Sequence, residues 1–178
     1  MRLALEGRIV MMETEIITDA IIENKEWLYK QAFAITKNKE EAEDAVSNAI
    51  VKAYVSKGKL LKKESVNSWL YKIVHNESYS IIRKRKDMLN IEDYENSLSS
   101  KDNIEKSMEE RSIWDIVLDL PEKYREVIYL FYAREFDMKT IHRITGLSMG
   151  TIKSRLSRAR EMLRLELLEG GNDDGVDR

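Results

Sequence analysis

Met138-Lys139-Thr140-Ile141-His142-Arg143-Ile144-Thr145-Gly146-Leu147-Ser148-Met149-Gly150-Thr151-Ile152-Lys153-Ser154-Arg155-Leu156-Ser157-Arg158-Ala159-Arg160 is the stretch on which the reading of this chain turns. Ile141 and Ile144 lie on one face of a short helix. Gly146 offers the left-handed backbone that a tight turn needs. Leu147 is then placed to fill the angle between two helices, and Ser148 is a good N-cap for the second. In that helix Ile152, Leu156, Ala159 and Leu163 recur at spacings of 4, 3 and 4, which makes one buried stripe. The opposite face carries Thr151, Lys153, Ser154, Arg155, Ser157, Arg158 and Arg160. Short hydroxyls permit close approach to a major groove, and arginine grips guanine edges or phosphate. A merely solvated helix would show the same periodicity. The Gly-Leu-Ser turn, with five basic residues against one acidic across Ser148–Leu165, favours DNA. A membrane-surface helix is disfavoured, because its apolar stripe is already needed to pack the preceding helices.

Working outward, Ile113, Ile116, Val117 and Leu120 predict a helix that stops before Pro121. Pro121 should open the next helix at its first turn, with Val127, Ile128, Leu130 and Phe131 on it. Shorter helices are expected around Met138–Thr145 and Met149–Leu168, and a polar tail beyond. Between Asp87 and Glu110, Asn, Ser, Asp and Glu crowd together without sustained apolar period, the signature of a linker. Before it, Ala42, Ala45, Val46, Ala49, Ile50 and Ala53 form an amphipathic stripe. Another helix is predicted over Trp27–Ile35, broken near Lys37-Asn38-Lys39. A third runs from about Ser65 to Lys86, where Arg83-Lys84-Arg85-Lys86 suits the negative end of the helix dipole. No repeat and no strand is apparent. The expected fold class is all-α, with two small helical domains joined by a flexible linker. The expected bounds are an N-terminal extension at 1–13 (Met11 and Met12 being alternative starts), a first domain at 14–86, the linker at 87–110, a second domain at 111–168 and a disordered tail at 169–178.

Composition agrees with a helical protein. The 178 residues include only seven Gly and one Pro, too few for a turn-rich β architecture. There is no cysteine, which excludes disulfides and thiolate metal sites. With His75 and His142 the only histidines, a metal site is not expected, nor is any cofactor. Lys+Arg 30 against Asp+Glu 32 gives no overall basic signal, so charge asymmetry along the chain is the better guide. No apolar run approaches the roughly 18 residues of a membrane span, and no signal-peptide pattern opens the chain, so the expected location is cytoplasmic. No nucleotide loop and no Ser/His/Asp arrangement is present, which argues against an enzyme.

The segment Leu120-Pro121-Glu122-Lys123-Tyr124-Arg125-Glu126-Val127, with Gly150-Thr151-Ile152-Lys153-Ser154-Arg155-Leu156-Ser157-Arg158-Ala159-Arg160, resembles region four of extracytoplasmic-function (ECF) sigma factors of the sigma-70 family. Ala42-Glu43-Asp44-Ala45-Val46 and Ser68-Trp69-Leu70-Tyr71-Lys72-Ile73-Val74-His75-Asn76 are similar to their region two. The resemblance covers roughly Trp27 to Leu168. It implies a promoter-specificity subunit with two jobs. Region two would bind the beta-prime clamp helices of core RNA polymerase and open the minus-ten element; region four would read the minus-thirty-five element and touch the beta flap. An anti-sigma factor is the further partner that the family implies, and direct membrane insertion is not expected.

On that resemblance, Glu41, Asp44, Ser47 and Asn48 fall at the polymerase contact, although the family often carries Gln-Glu where Ser47-Asn48 stand. The plainer reading of the acidic cluster is solvated helix charge with i,i+4 pairing. Strand opening calls for planar side chains beside cations, since unstacked bases need platforms and phosphates need counter-charge. Trp69, Tyr71, Lys72, Asn76 and Tyr79 on one helix, with Lys57, Lys59, Lys62 and Lys63 before it, meet that description, with core packing the competing role for Trp69 and Tyr71. Asn76 has poor mid-helix propensity and falls where the family contacts a minus-ten base. Arg83 and its basic neighbours suit a phosphate contact and equally a helix C-cap. Thr151, Lys153, Ser154, Arg155 and Arg158 are the candidates for minus-thirty-five DNA. His142 stands where the family usually has a small residue.

Overall fold

The computed structural model describes residues 2–56, 65–88 and 112–170, with side chains at 11–56, 65–88 and 112–168. The lysines expected between 57 and 63, most of the expected linker and the tail beyond 170 lie outside the described residues. The chain divides into two compact units, the first built around Met1–Met88 and the second from the helices that follow. Every described element is helical, as expected from the period and the scarcity of turn residues.

The first unit is three helices packed pairwise: α1 (Arg2–Thr36), α2 (Lys39–Val55) and α3 (Val66–Met88). α1 is far longer than the predicted Trp27–Ile35 helix. Its inner seam is Ile17, Ile21, Asn24, Leu28, Gln31 and Ile35, spaced 4, 3, 4, 3 and 4. Asn24 and Gln31 interrupt the apolar pattern and hide it from a reading of hydrophobic period. Both are buried, and each donates its side-chain amide to a main-chain carbonyl. Asn24 Nδ2 donates to the Ala20 carbonyl at 2.8 Å, and Gln31 Nε2 to the Tyr71 carbonyl of α3 at 3.2 Å. The break expected near Lys37-Asn38-Lys39 is present. Lys37 takes a left-handed φ of 50°, and Asn38 Oδ1 accepts from the Glu41 amide at 2.9 Å to cap α2.

α2 meets its neighbours through alanine. Ala42, Ala45, Ala49 and Ala53 are buried, while Val46 and Ile50, expected on the same stripe, are half-buried. Larger side chains from the flanking helices, among them Leu28, Leu70 and Tyr71, complete the core. Each such side chain stabilises by about 1.5–3 kcal/mol when fully buried.

The second unit contains α4 (Ile113–Asp119), α5 (Glu122–Ile128), α6 (Met138–Thr145) and α7 (Met149–Gly170). Ser112 and Asp115 form a reciprocal capping box at the start of α4. Pro121 sits one residue earlier than predicted, at the N-cap of α5, where its missing N–H is equally harmless. It holds Leu120 extended (ψ 150°), which ends α4. α5 continues into a π turn, Tyr129–Ala133, in which the Arg134 amide donates to the Tyr129 carbonyl. All seven side chains from Tyr124 to Leu130 are buried, so α5 is enclosed on every side, and α7 packs against it.

Two ion pairs bind α2 to α3. Lys52 reaches Glu77 at 2.5 Å, and Arg85 reaches Glu41 at 2.9 Å. Glu77 is nearly buried whereas Lys52 is 60% exposed. Replacing Lys52 by Ala is therefore expected to cost about 1–2 kcal/mol, since it strands a buried carboxylate. An ordinary surface lysine would give less than about 0.5 kcal/mol by urea denaturation, and a loss that small would show Glu77 to be stable without its partner.

Candidate nucleic-acid interface

The helix-turn-helix corner closes as its sequence predicts. Gly146 ends α6 with φ 73°, the left-handed region, and its amide donates to the His142 carbonyl at 2.8 Å. Asp137 caps the other end of α6 through the Thr140 amide at 2.7 Å. Ser148 caps α7: its Oγ accepts from the Thr151 amide at 3.1 Å and lies 2.8 Å from Thr151 Oγ1. Ile141, Ile144, Ile152, Leu156 and Ala159 are all buried, as their spacing required; Leu163 is half-buried, because the stripe loosens toward the end of α7.

That burial aims the rest of α7 outward. Lys153, Ser154, Ser157, Arg158 and Arg160 are exposed, and Thr151 and Arg155 are half-buried. Thr151, Ser154 and Arg158, spaced 3 and 4, share one line along the outer face. Ser154 Oγ donates to the Thr151 carbonyl at 3.0 Å, which keeps its hydroxyl close to the helix and leaves the surface shallow. Arg155 leans back: Nη1 donates to the Lys123 carbonyl in the first turn of α5 at 3.2 Å. A guanidinium has five donors, so this bond braces α7 and still leaves others available.

α3 presents the second surface. Trp69, Lys72, Asn76, Tyr79 and Arg83 are spaced 3, 4, 3 and 4, so the helix brings them to one stripe. Lys72, Asn76 and Arg83 are exposed, and Trp69 and Tyr79 half-buried. The stripe lies opposite Leu70, Tyr71, Val74, Ser78 and Ile82, which face the core. Tyr71 is fully buried, so of the two rings with competing readings it is the one that packs the core. The ring of Tyr79 is joined by His75, their centroids 4.7 Å apart. Arg85, in the basic run, turns away to Glu41. Lys62 and Lys63 lie outside the described residues.

The third surface is the outer side of α2. Asp44, Ser47 and Asn48 are exposed. Val51 and Val55, at 62% and 80% exposed, continue the line Asp44, Asn48, Val51, Val55 at spacings of 4, 3 and 4. Sequence reasoning missed these two valines. The signal was available: both fall off the alanine stripe, on the polar side, where an apolar β-branched residue has no packing role. Glu41 differs from its companions, being partly covered and tied to Arg85.

Comparison with known proteins agrees with this geometry. The Sigma-70 region 2 family matches residues 21–87, and Sigma-70, region 4 matches residues 110–163. The chain is similar to RNA polymerase sigma factor SigV of Bacillus subtilis, 29% identical over 152 residues, which cover 85% of this chain and 91% of that protein. It is also similar to the ECF RNA polymerase sigma factor SigW of Bacillus subtilis, 27% identical, with 87% and 90% covered. Among solved structures, the sigma factor RpoE from Bartonella quintana, in complex with the anti-sigma factor NepR, aligns with a TM-score of 0.66 and 28% identity over 90% of this chain and 98% of that one. CnrH, in complex with the cytosolic domain of CnrY, shares the fold with a TM-score of 0.62 at 17% identity, over 97% of each chain. Two helical units, one ending in a helix-turn-helix, define a sigma-70 family protein. The chain belongs to that family, among the ECF sigma factors, and is an alternative sigma factor directing transcription initiation. No described helix is long and apolar enough to cross a membrane.

Glu41 carries a test of how α2 is held. Burial pushes its carboxyl above the ordinary carboxylate value; Arg85 pulls the other way, and Asp44 adds to the rise. The folded chain thus holds that proton more firmly than the unfolded one. This contribution to stability is complete below the ordinary carboxylate range and is lost as pH rises through the raised value. Glu41→Gln keeps a neutral acceptor for Arg85. Its urea midpoint at neutral pH is expected to match or slightly exceed that of the parent, with a flatter profile on the acid side. A loss above about 1 kcal/mol would mean that the ion pair outweighs the cost of burial.

Proposed function

We propose that the three surfaces divide the work of promoter recognition. The observation that carries this reading is the pair of DNA-suited stripes on separate helices, one on α3 and one on α7, within one short chain. On α7, Thr151, Lys153, Ser154, Arg155 and Arg158 meet the minus-thirty-five duplex, with Arg158 and Lys153 supplying the long cationic reach. On α3, Trp69, Lys72, Asn76 and Arg83, with Lys62 and Lys63 before them, engage the minus-ten element during opening. A half-buried indole beside exposed amide and cationic groups suits an unstacked base next to phosphate. On α2, Asp44, Ser47 and Asn48 meet the clamp helices of the beta-prime subunit, with Glu41 at the margin and Val51 and Val55 extending the contact. The second unit also touches the beta flap.

The domain bounds that go with this reading are 14–86 and 111–168, with 87–110 as linker. The work is done in the cytoplasm, without catalytic chemistry, cofactor or metal. An anti-sigma factor is a further partner, a reading supported by the likeness to RpoE, which was solved with NepR. A free helix-turn-helix regulator is the competing reading. It would bind duplex promoter DNA alone, whereas a sigma factor requires core polymerase.

Run-off transcription with core polymerase, followed by sequencing of the transcripts initiated, tests the reading. Promoter binding by the isolated chain as tight as that of the holoenzyme would overturn it. Arg158→Ala is expected to weaken holoenzyme binding at the minus-thirty-five element by about 1–3 kcal/mol; unchanged affinity would remove Arg158 from that contact. Asn76→Ala should behave differently. Closed-complex formation should be spared, while permanganate reactivity of the melted minus-ten thymines falls. A defect already present in the closed complex would place Asn76 elsewhere in the pathway.

A further inference from the structure

We propose that His142 is a positioning residue that clips the helix-turn-helix corner into its DNA-facing geometry. The corner is Gly146-Leu147-Ser148, between α6 and α7, and His142 holds it at two points. Its main-chain carbonyl accepts the Gly146 amide at 2.8 Å. Its ring Nδ1 lies 2.7 Å from the Leu147 carbonyl oxygen. A carbonyl can only accept, so Nδ1 carries the proton. The neutral ring is therefore fixed as the Nδ1–H tautomer with Nε2 bare, and the doubly protonated ring keeps the same donor.

The corner needs such a restraint. Gly146 is its one left-handed residue, and nothing lies within 4 Å of the place a Cβ would occupy, so no packing braces it from that side. Leu147 precedes the N-cap, and its carbonyl lies before the first turn of α7 and outside that helix's own ladder. The next residue, Ser148, sets Thr151 through both its amide and its hydroxyl. Whatever fixes Leu147 thus fixes the start of α7, and with it the line Thr151, Ser154, Arg158. A flexible glycine would otherwise let that line rock, and ordering it on DNA would cost affinity.

The inference rests on the reading that α7 meets the minus-thirty-five duplex, and its two readouts separate the clip from that reading. The first uses the free protein: long-range 1H–15N correlation of the imidazoles in 15N-labelled chain. Only His75 and His142 contribute, and His142→Asn identifies the signals by removing one set. Neutral His142 protonated at Nδ1 is expected; an Nε2–H ring would overturn the clip. The second is holoenzyme affinity for promoter DNA carrying the minus-thirty-five element. His142→Ala should weaken it about 3–10-fold, the worth of one net hydrogen bond. His142→Asn, whose Nδ2 stands where Nδ1 stood, should restore it to within about twofold of the parent. Parental affinity in the alanine variant, or an asparagine variant as weak as alanine, would overturn the positioning role. If parent and Arg158→Ala both lack minus-thirty-five selectivity, the reading of α7 fails, while the tautomer still decides the clip.

Discussion

Helices leave unmatched amides at one end and unmatched carbonyls at the other, and among the described residues many of these are satisfied by the chain's own side chains. Much of the geometry here follows from that pairing. Asn38, Ser112, Asp137 and Ser148 each accept an amide three residues on. Carbonyls at the turns are met by longer donors: Arg125 Nη1 reaches Leu120 at 2.9 Å, Arg155 reaches Lys123, and His142 reaches Leu147. The same economy operates inside the first unit, where Gln31 crosses to a carbonyl of α3. Basic side chains on α3 and α7 therefore have architectural duties. Arg155 and Arg85 show this best, because charge alone would have sent both to phosphate.

The helix-turn-helix was the most legible part of the chain, since each of its determinants is local. A glycine that must go left-handed, a serine that must cap and an apolar spacing of 4, 3 and 4 all act within a few residues. The long α1 was largely illegible for the opposite reason. Its seam includes Asn24 and Gln31, and their burial is tolerable only because of partners that a linear reading does not reveal: Asn67 and the Tyr71 carbonyl, both on α3. Pro121 was displaced by one residue, because cap and first turn tolerate a missing donor equally well.

Among candidate contacts, helical phase, a property of sequence, puts Trp69, Lys72, Asn76 and Arg83 on one stripe of α3. Spacing could not separate Tyr71 from them, since an aromatic ring is as suited to a core as to a base. Nor could it foresee that Glu41 pairs with Arg85, 44 residues away along the chain. That pairing depends on how α2 and α3 dock, and the docking distance is set by alanines, which say little in isolation.

The alanine seam of α2 has an evolutionary corollary. A helix whose inward side is already at the smallest helix-favouring side chain has little room to change there: anything larger forces its neighbours apart. Its outward residues, Asp44, Ser47, Asn48, Val51 and Val55, share none of that packing. Substitutions on the outer side can thus accumulate without eroding the fold. On the proposed reading of α2, packing and partner contact lie on opposite sides of one helix, so a change on the outer side leaves the alanine seam untouched.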